Sequence, residues 1–186
     1  MHMRYNKFMQ KIFVLTLCFF TNLIFSEELR IEIDISKQRL YVIQNNTQTH
    51  SFAISSSKYG EGSEVNSFKT PLGKHSVRTM IGENAPKNTI FISRINTRRQ
   101  ADIIDSYFDS SDDYVTSRII WLTGEEPGLN SGEGIDSYNR YIYIHGTHEE
   151  GLIGIKASHG CIRMFNDDVI KLYSLIKKGT KVDIFT

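Results

Sequence analysis

The sequence predicts a mainly β domain, a sandwich or barrel of short strands with one late α-helix. Three observations predict it. Apolar and polar residues alternate with a period of two from Leu29 onward, and again in several later short runs. Turn-forming residues separate those runs. Convincing helical spacing occurs once, near the C-terminus. Many short strands and a late helix most simply share a core as a β-rich sandwich or barrel.

Leu29, Ile31, Ile33 and Ile35 alternate with Arg30, Glu32 and Asp34, which gives the first strand two distinct faces. Residues 39–44 (RLYVIQ) form a second strand, Asn45-Asn46 a turn, and residues 50–55 (HSFAIS) a third strand. A polar loop with Gly60 and Gly62 follows over residues 56–67. Thr70-Pro71-Leu72-Gly73 reads as a turn leading into a strand over 75–79. Residues 89–93 (TIFIS), 118–122 (RIIWL) and 141–144 (YIYI) are further strands, the last ending at His145, with Tyr141 and Tyr143 packing one sheet face. Residues 96–114 are polar, rich in Asp and Ser, and weakly periodic. A stretch of that length between strands is expected to be a lid or binding loop. The helix has Asn166 as its expected N-cap, and Asp167 and Asp168 at its positive end. Val169, Leu172, Tyr173 and Ile176 supply its apolar stripe, Lys177 and Lys178 its negative end, and Gly179 its stop. Residues 181–185 (KVDIF) make a closing strand.

The first 26 residues read as an address rather than as part of the fold. Arg4, Lys7 and Lys11 precede an apolar run of 14 residues, Ile12 to Phe25, followed by Ser26 and the acidic pair Glu27-Glu28. A basic segment, a short apolar core and a small residue make a secretory signal peptide, and the run falls short of the roughly 20 residues a membrane-spanning helix needs. The expected organisation is therefore a signal peptide over 1–26 and one domain over 27–186, with periplasmic location. An uncleaved membrane anchor is the alternative. Removing residues 1–26 takes away three basic residues and no acidic one, so the net charge moves from +1 to −2. It also takes away Cys18, which leaves Cys161 as a lone thiol with no internal disulfide partner.

Composition narrows the function classes. The chain has 186 residues, 22 Lys+Arg against 21 Asp+Glu, 40% hydrophobic and 23% charged residues. These are ordinary globular values, and the balanced charge argues against a nucleic-acid partner.

The chemistry gathers in His145-Gly146-Thr147 and, 16 residues after His145, in the run Ser158-His159-Gly160-Cys161-Ile162-Arg163-Met164. A thiol attacks as its thiolate, and an imidazole within hydrogen-bond reach makes that state accessible near neutral pH. A strand end and a Gly-containing loop can bring His145 and Cys161 together. Gly160 lets backbone N–H groups approach a substrate carbonyl, as an oxyanion hole requires. Arg163 adds a cation that either favours the thiolate or holds a substrate carboxylate. A zinc site built from His145, His148, His159 and Cys161 has suitable ligand types but fits no standard spacing.

The run IHGTHEEGLIGIKASHGCIRMFNDDVIKLYSLIKKGTKVDI, with the earlier FKTPLGKHSV, resembles the L,D-transpeptidase catalytic domain family, exported bacterial enzymes that remodel peptidoglycan. The resemblance covers most of residues 29–186 and implies the following roles. Cys161 is the nucleophile, His145 its general base, and Gly146 the residue whose carbonyl orients the imidazole. Gly160 and Cys161 supply oxyanion N–H groups, and Ser158, His159 and Arg163 line the substrate side. Some members carry Lys at the position of His159 and Asn at that of Arg163. The resemblance further implies peptidoglycan stem peptides as substrates and no metal or cofactor. It implies an amine acceptor on a second stem peptide, on an outer-membrane lipoprotein or on another protein, and a monomeric enzyme. Hydrolysis of the same bonds, and a non-catalytic cell-wall binding module, are the competing functions.

Overall fold

The computed structural model describes residues 29–186, so the expected signal peptide lies outside the described residues. Ten strands share one mixed sheet. The strands β1 (Leu29–Asp34), β2 (Arg39–Gln44) and β3 (Thr47–Ala53) form an antiparallel meander. They are followed by β4 (Gly73–Ile81), β5 (Thr89–Ile92), β6 (Ile95–Gln100), β7 (Val115–Gly124), β8 (Tyr143–Gly146), β9 (Ile162–Met164), α1 (Asn166–Leu175) and β10 (Lys181–Phe185). The strand order is β3-β2-β1-β10-β4-β7-β5-β6, with β8 branching from β7 and carrying β9 on its other side.

The alternation in β1 works as expected. Ile31 and Ile33 are fully buried, and each pairs with an apolar residue on β2 and on β10. Asn45 and Asn46 both take positive φ, 49° and 62°, the requirement of a two-residue type I′ hairpin. Pairing therefore resumes at Thr47, three residues earlier than the sequence suggested. The main core packs Ile31, Ile33, Leu40 and Ile184 from one end of the sheet against Ile120, Ile144 and Met164 from the other, with Val169 and Leu172 of α1.

Four local expectations are corrected. Residues 96–100 of the expected loop belong, with Ile95, to β6, an exposed edge strand turned back from β5 by Ser93 and Arg94, both at positive φ. Its polar sequence, INTRRQ, carries no alternation because neither face is buried. The strand expected at 141–144 is displaced to 143–146: Tyr143 is buried, whereas Tyr141 lies outside it at φ 58° and half-exposed. Asn166 does not cap α1. Phe165 stands at the cap, and the buried Asn166 side chain bonds instead to Thr116, Ser117, Glu150 and the carbonyl of Thr147. The helix ends at Leu175, so Lys177 and Lys178 follow it, and Gly179, at φ 88°, turns the chain into β10.

Candidate active site

Three strands position the site. β8 lies between β7 and β9, with His145 opposite Ile119 on one side and Arg163 on the other. The parallel register pairs Ile144 with Ile162. It therefore sets Cys161, just ahead of β9, beside Tyr143. Side chains alternate along a strand, so Cys161, Tyr143, His145 and Arg163 share one face, with His145 the diagonal neighbour of the thiol.

His145 is 2% exposed, and its Nδ1 donates to the carbonyl of Gly146 at 2.7 Å. A carbonyl can only accept, so the proton sits on Nδ1 and Nε2 is the basic nitrogen. Gly146 has a second reason to lack a side chain: an added Cβ would lie 2.6 Å from Asn166 Oδ1 and 2.8 Å from the carbonyl of Thr116.

Cys161 is held by a tight turn. Ser158 Oγ donates to the Cys161 carbonyl (2.6 Å) and accepts from the Gly160 amide (3.3 Å), while Gly160 takes φ 119°. Thr70 Oγ1 donates to the Gly160 carbonyl at 3.0 Å across 90 positions of sequence, which ties the Thr-Pro turn to the thiol loop. Ser158 is 1% exposed and serves the turn, so it does not line a substrate surface as expected. The Gly160 amide points at Ser158. Among the described residues, the amides of His159 and Cys161 on this turn have no partner, and that of Cys161 lies next to the sulfur.

The thiol is not hydrogen-bonded to His145. Its partners are the amide of Tyr143, which donates to Sγ at 3.4 Å, and the carbonyl of Tyr141, which accepts from it at 3.4 Å. Burial pushes the thiol up to about 12, with the Tyr143 amide, Arg163 and Arg140 pulling the other way. Burial likewise lowers His145 to about 4, opposed by the Asp113 carboxylate and the Gly146 carbonyl. The resting pair is therefore neutral thiol and neutral imidazole rather than a preformed ion pair.

The sequence profile of the L,D-transpeptidase catalytic domain (YkuD) matches residues 28–184. The chain belongs to the L,D-transpeptidase catalytic domain family. It is 54% identical over 41 residues to YkuD of Bacillus subtilis (strain 168), which is assigned to the L,D-transpeptidases; the stretch covers 22% of this chain and 25% of that protein. It is 42% identical over 48 residues to YcfS of Escherichia coli (strain K12), covering 26% and 15%. The alignments thus span a quarter or less of these curated relatives. The fold matches an L,D-transpeptidase from Mycobacterium smegmatis with TM-score 0.50 at 16% identity, covering 86% of this chain and 59% of that one. It also matches an Enterococcus faecium L,D-transpeptidase with TM-score 0.51 at 16% identity, covering 86% and 50%. A further L,D-transpeptidase structure, solved in complex with imipenem, matches with TM-score 0.51.

Within this L,D-transpeptidase domain, Arg163 departs from the sequence expectation. It is 1% exposed, and two carboxylates already hold it: Nη1 donates to the buried Glu149 at 2.8 Å, and Nη2 lies 2.6 Å from Asp113. In this closed arrangement both carboxylates facing it belong to the protein, although its Nε has no partner among the described residues. His159 stands at the rim between Tyr59 and Phe68, and its Nδ1 donates to the other oxygen of Asp113 at 2.9 Å. His148 is turned to Ser110 Oγ, and among the described residues no group of three or more His, Cys, Asp or Glu side chains is gathered for a metal ion. Sequence reading missed four residues of the site. Asp113 and Glu149 hold Arg163, Thr70 holds the thiol loop, and Arg140 donates to the carbonyl of Lys69 (2.8 Å) with its cation near Cys161. The Thr-Pro motif pointed to Thr70. The other three carry no local signal, because their partners are distant in sequence.

Proposed function

We infer that this chain is an exported cysteine L,D-transpeptidase acting on peptidoglycan stem peptides. The observation that carries the reading is the Gly146 carbonyl on His145 Nδ1, which leaves Nε2 basic on the face that also presents Cys161. A donor stem peptide enters with the carbonyl of a diaminopimelate L-centre beside the sulfur, ahead of a terminal D-alanine. The S–H turns from the Tyr141 carbonyl to Nε2; catalytic hydrogen bonds commonly tighten only in the substrate complex. Sγ bonds to the carbonyl carbon as His145 takes the proton, and the Cys161 amide donates to the oxyanion. His145 then protonates the departing amine, D-alanine leaves, and a thioester remains on Cys161. An acceptor amine loses a proton to His145, attacks the thioester and takes the acyl group, which restores the thiol. A second stem peptide is the acceptor in this reading. An amine on an outer-membrane lipoprotein or another protein reacts in the same way, because the chemistry requires only an unprotonated amine.

Purified residues 27–186 incubated with muropeptides and followed by mass spectrometry test this. Cross-linked dimers and a thioester on Cys161 are expected. Trimmed monomers alone would assign hydrolysis, and intact muropeptides without an adduct would reduce the domain to a binding module. Export is tested separately: N-terminal sequencing should recover a mature chain starting near Glu27, and a start at Met1 in a cytosolic fraction would overturn it.

A further inference from the structure

The segment between β6 and β7 is fastened mainly to the half of the chain that builds the site, with further ties to Lys58 and Asn88. The Ile104 amide donates to the carbonyl of His148, and the Ser110 amide and hydroxyl both donate to Glu149 Oε1. Asp109 pairs with Lys58 at 2.8 Å. Asp113, at the end of the segment, bridges Arg163 and His159. Its side chain is 37% exposed, whereas both partners of the Arg163–Glu149 pair are 1% exposed. Of the two carboxylates on Arg163, Asp113 is therefore the one that can leave without opening the core.

The fit of Asp113 on the guanidinium is incomplete. Nη2 is close to Asp113 but misaligned for a hydrogen bond, and Nε has no partner among the described residues, although both atoms are buried. Nε and Nη2 form one edge of the guanidinium, the edge that takes a carboxylate through two parallel hydrogen bonds. Asp113 contacts one corner of it.

We propose that Asp113 is a specificity-determining residue that stands in for a substrate carboxylate: when the 101–114 segment lifts, a free carboxylate of the donor peptide replaces Asp113 on Arg163 and His159. This rests on the reading of the site as one for stem peptides. Such a peptide carries free carboxylates at its terminal D-alanine and on the diaminopimelate side chain, and both have the required chemistry. The exchange keeps the charge beside His145 unchanged, so a ligand with a carboxylate enters without leaving the buried guanidinium half-paired. An amide offers the guanidinium no charge and leaves Asp113 where it is.

The test uses calorimetry on the Cys161→Ala protein, so that binding is read without turnover. Three probes are compared: a stem tetrapeptide ending in D-alanine, the same peptide amidated at its C-terminus, and the same peptide amidated at the diaminopimelate side chain. Asp113→Asn removes the competing charge and should tighten binding of the free acid roughly tenfold, the scale of a charge-assisted hydrogen bond. One of the two amides should lose that gain, which identifies the carboxylate that exchanges. Asp109→Asn, which loosens the segment without touching Arg163, should shift all three peptides together. The proposal is overturned if Asp113→Asn weakens the acid, if it shifts acid and both amides alike, or if the acid does not bind. Acid selectivity without cross-linking in the muropeptide assay would sink the transferase reading and leave this one standing.

Discussion

Cys161 and His145 rest as neutral groups because burial moves them in opposite directions, the thiol to about 12 and the imidazole to about 4. Alkylation of Cys161 by iodoacetamide should therefore be slow at pH 7 and climb about tenfold per pH unit beyond pH 9 without a plateau. A plateau below pH 7 would reveal a standing thiolate and contradict the neutral pair. The base then matters only when an acylating group is in place. With a carbapenem as probe, His145→Ala should slow acylation of Cys161 by about 10²–10⁴, the usual worth of a positioned general base. Mass spectrometry against time measures it, and an unchanged rate removes His145 from the mechanism. Besides accepting the hydrogen bond from His145 at its carbonyl, Gly146 leaves space for its neighbours. Gly146→Ala drives a methyl group against Asn166 and the Thr116 carbonyl and should cost about 1–3 kcal/mol, read from urea denaturation. No loss would mean that β8 and α1 can separate at no cost.

At the scale of elements, the segment over residues 101–114 is a latched strap rather than a free loop. Its amides at Ala101, Ile104 and Ser110 are hydrogen-bonded, to Asn88, His148 and Glu149. In hydrogen exchange these amides should be protected well above the stretch around Tyr107 and Phe108, whose side chains are exposed. Asp109→Asn should raise exchange across the strap while leaving β7 unchanged, because the Lys58–Asp109 pair touches no strand of the core. Equal exchange before and after that substitution would show that the latch lies elsewhere. β6 illustrates the limit of reading elements from sequence. An edge strand exposed on both faces buries no apolar residue and so shows no alternation, and only its pairing with β5 defines it.

For the whole molecule, buried titratable groups confine stability to a window of pH. Burial lowers His75, His145 and His148. Each binds its proton more readily unfolded, so their contribution is complete above the ordinary histidine value of about 6.5 and is lost as pH falls below it, for His145 toward about 4. For His145 the loss approaches about 3 kcal/mol. Asp34, held at about 2 by Lys37 and Ser36, stabilises the fold above its ordinary value and gives way only below pH 4. Cys161 works in reverse: the unfolded thiol ionises near 9, so folding weakens as pH rises from there toward 12. Urea midpoints should be level between about pH 6.5 and 9 and fall on both sides, and Cys161→Ser should soften the alkaline fall. A midpoint that stays level down to pH 4 would contradict the buried neutral histidines.

The amino-acid sequence by itself determined the β-rich class and the late helix, and it pointed to His145 and Cys161 as the candidate pair. Each of these is written locally, as alternation in Leu29–Asp34, as the spacing of Val169 and Leu172, or as a thiol preceded by glycine. The tertiary structure alone decided how the site is wired. Glu149 and Asp113 reach Arg163 from 14 and 50 positions away, Thr70 reaches Gly160 across 90, and no periodicity records such closures. It also decided that Ser158 serves the turn, that Arg163 is already paired, and that the thiol rests on the main chain rather than on His145. A side chain's identity states which bonds it can make. Which of them it makes depends on the groups the fold brings within about 3 Å of it, and on whether water is left to compete.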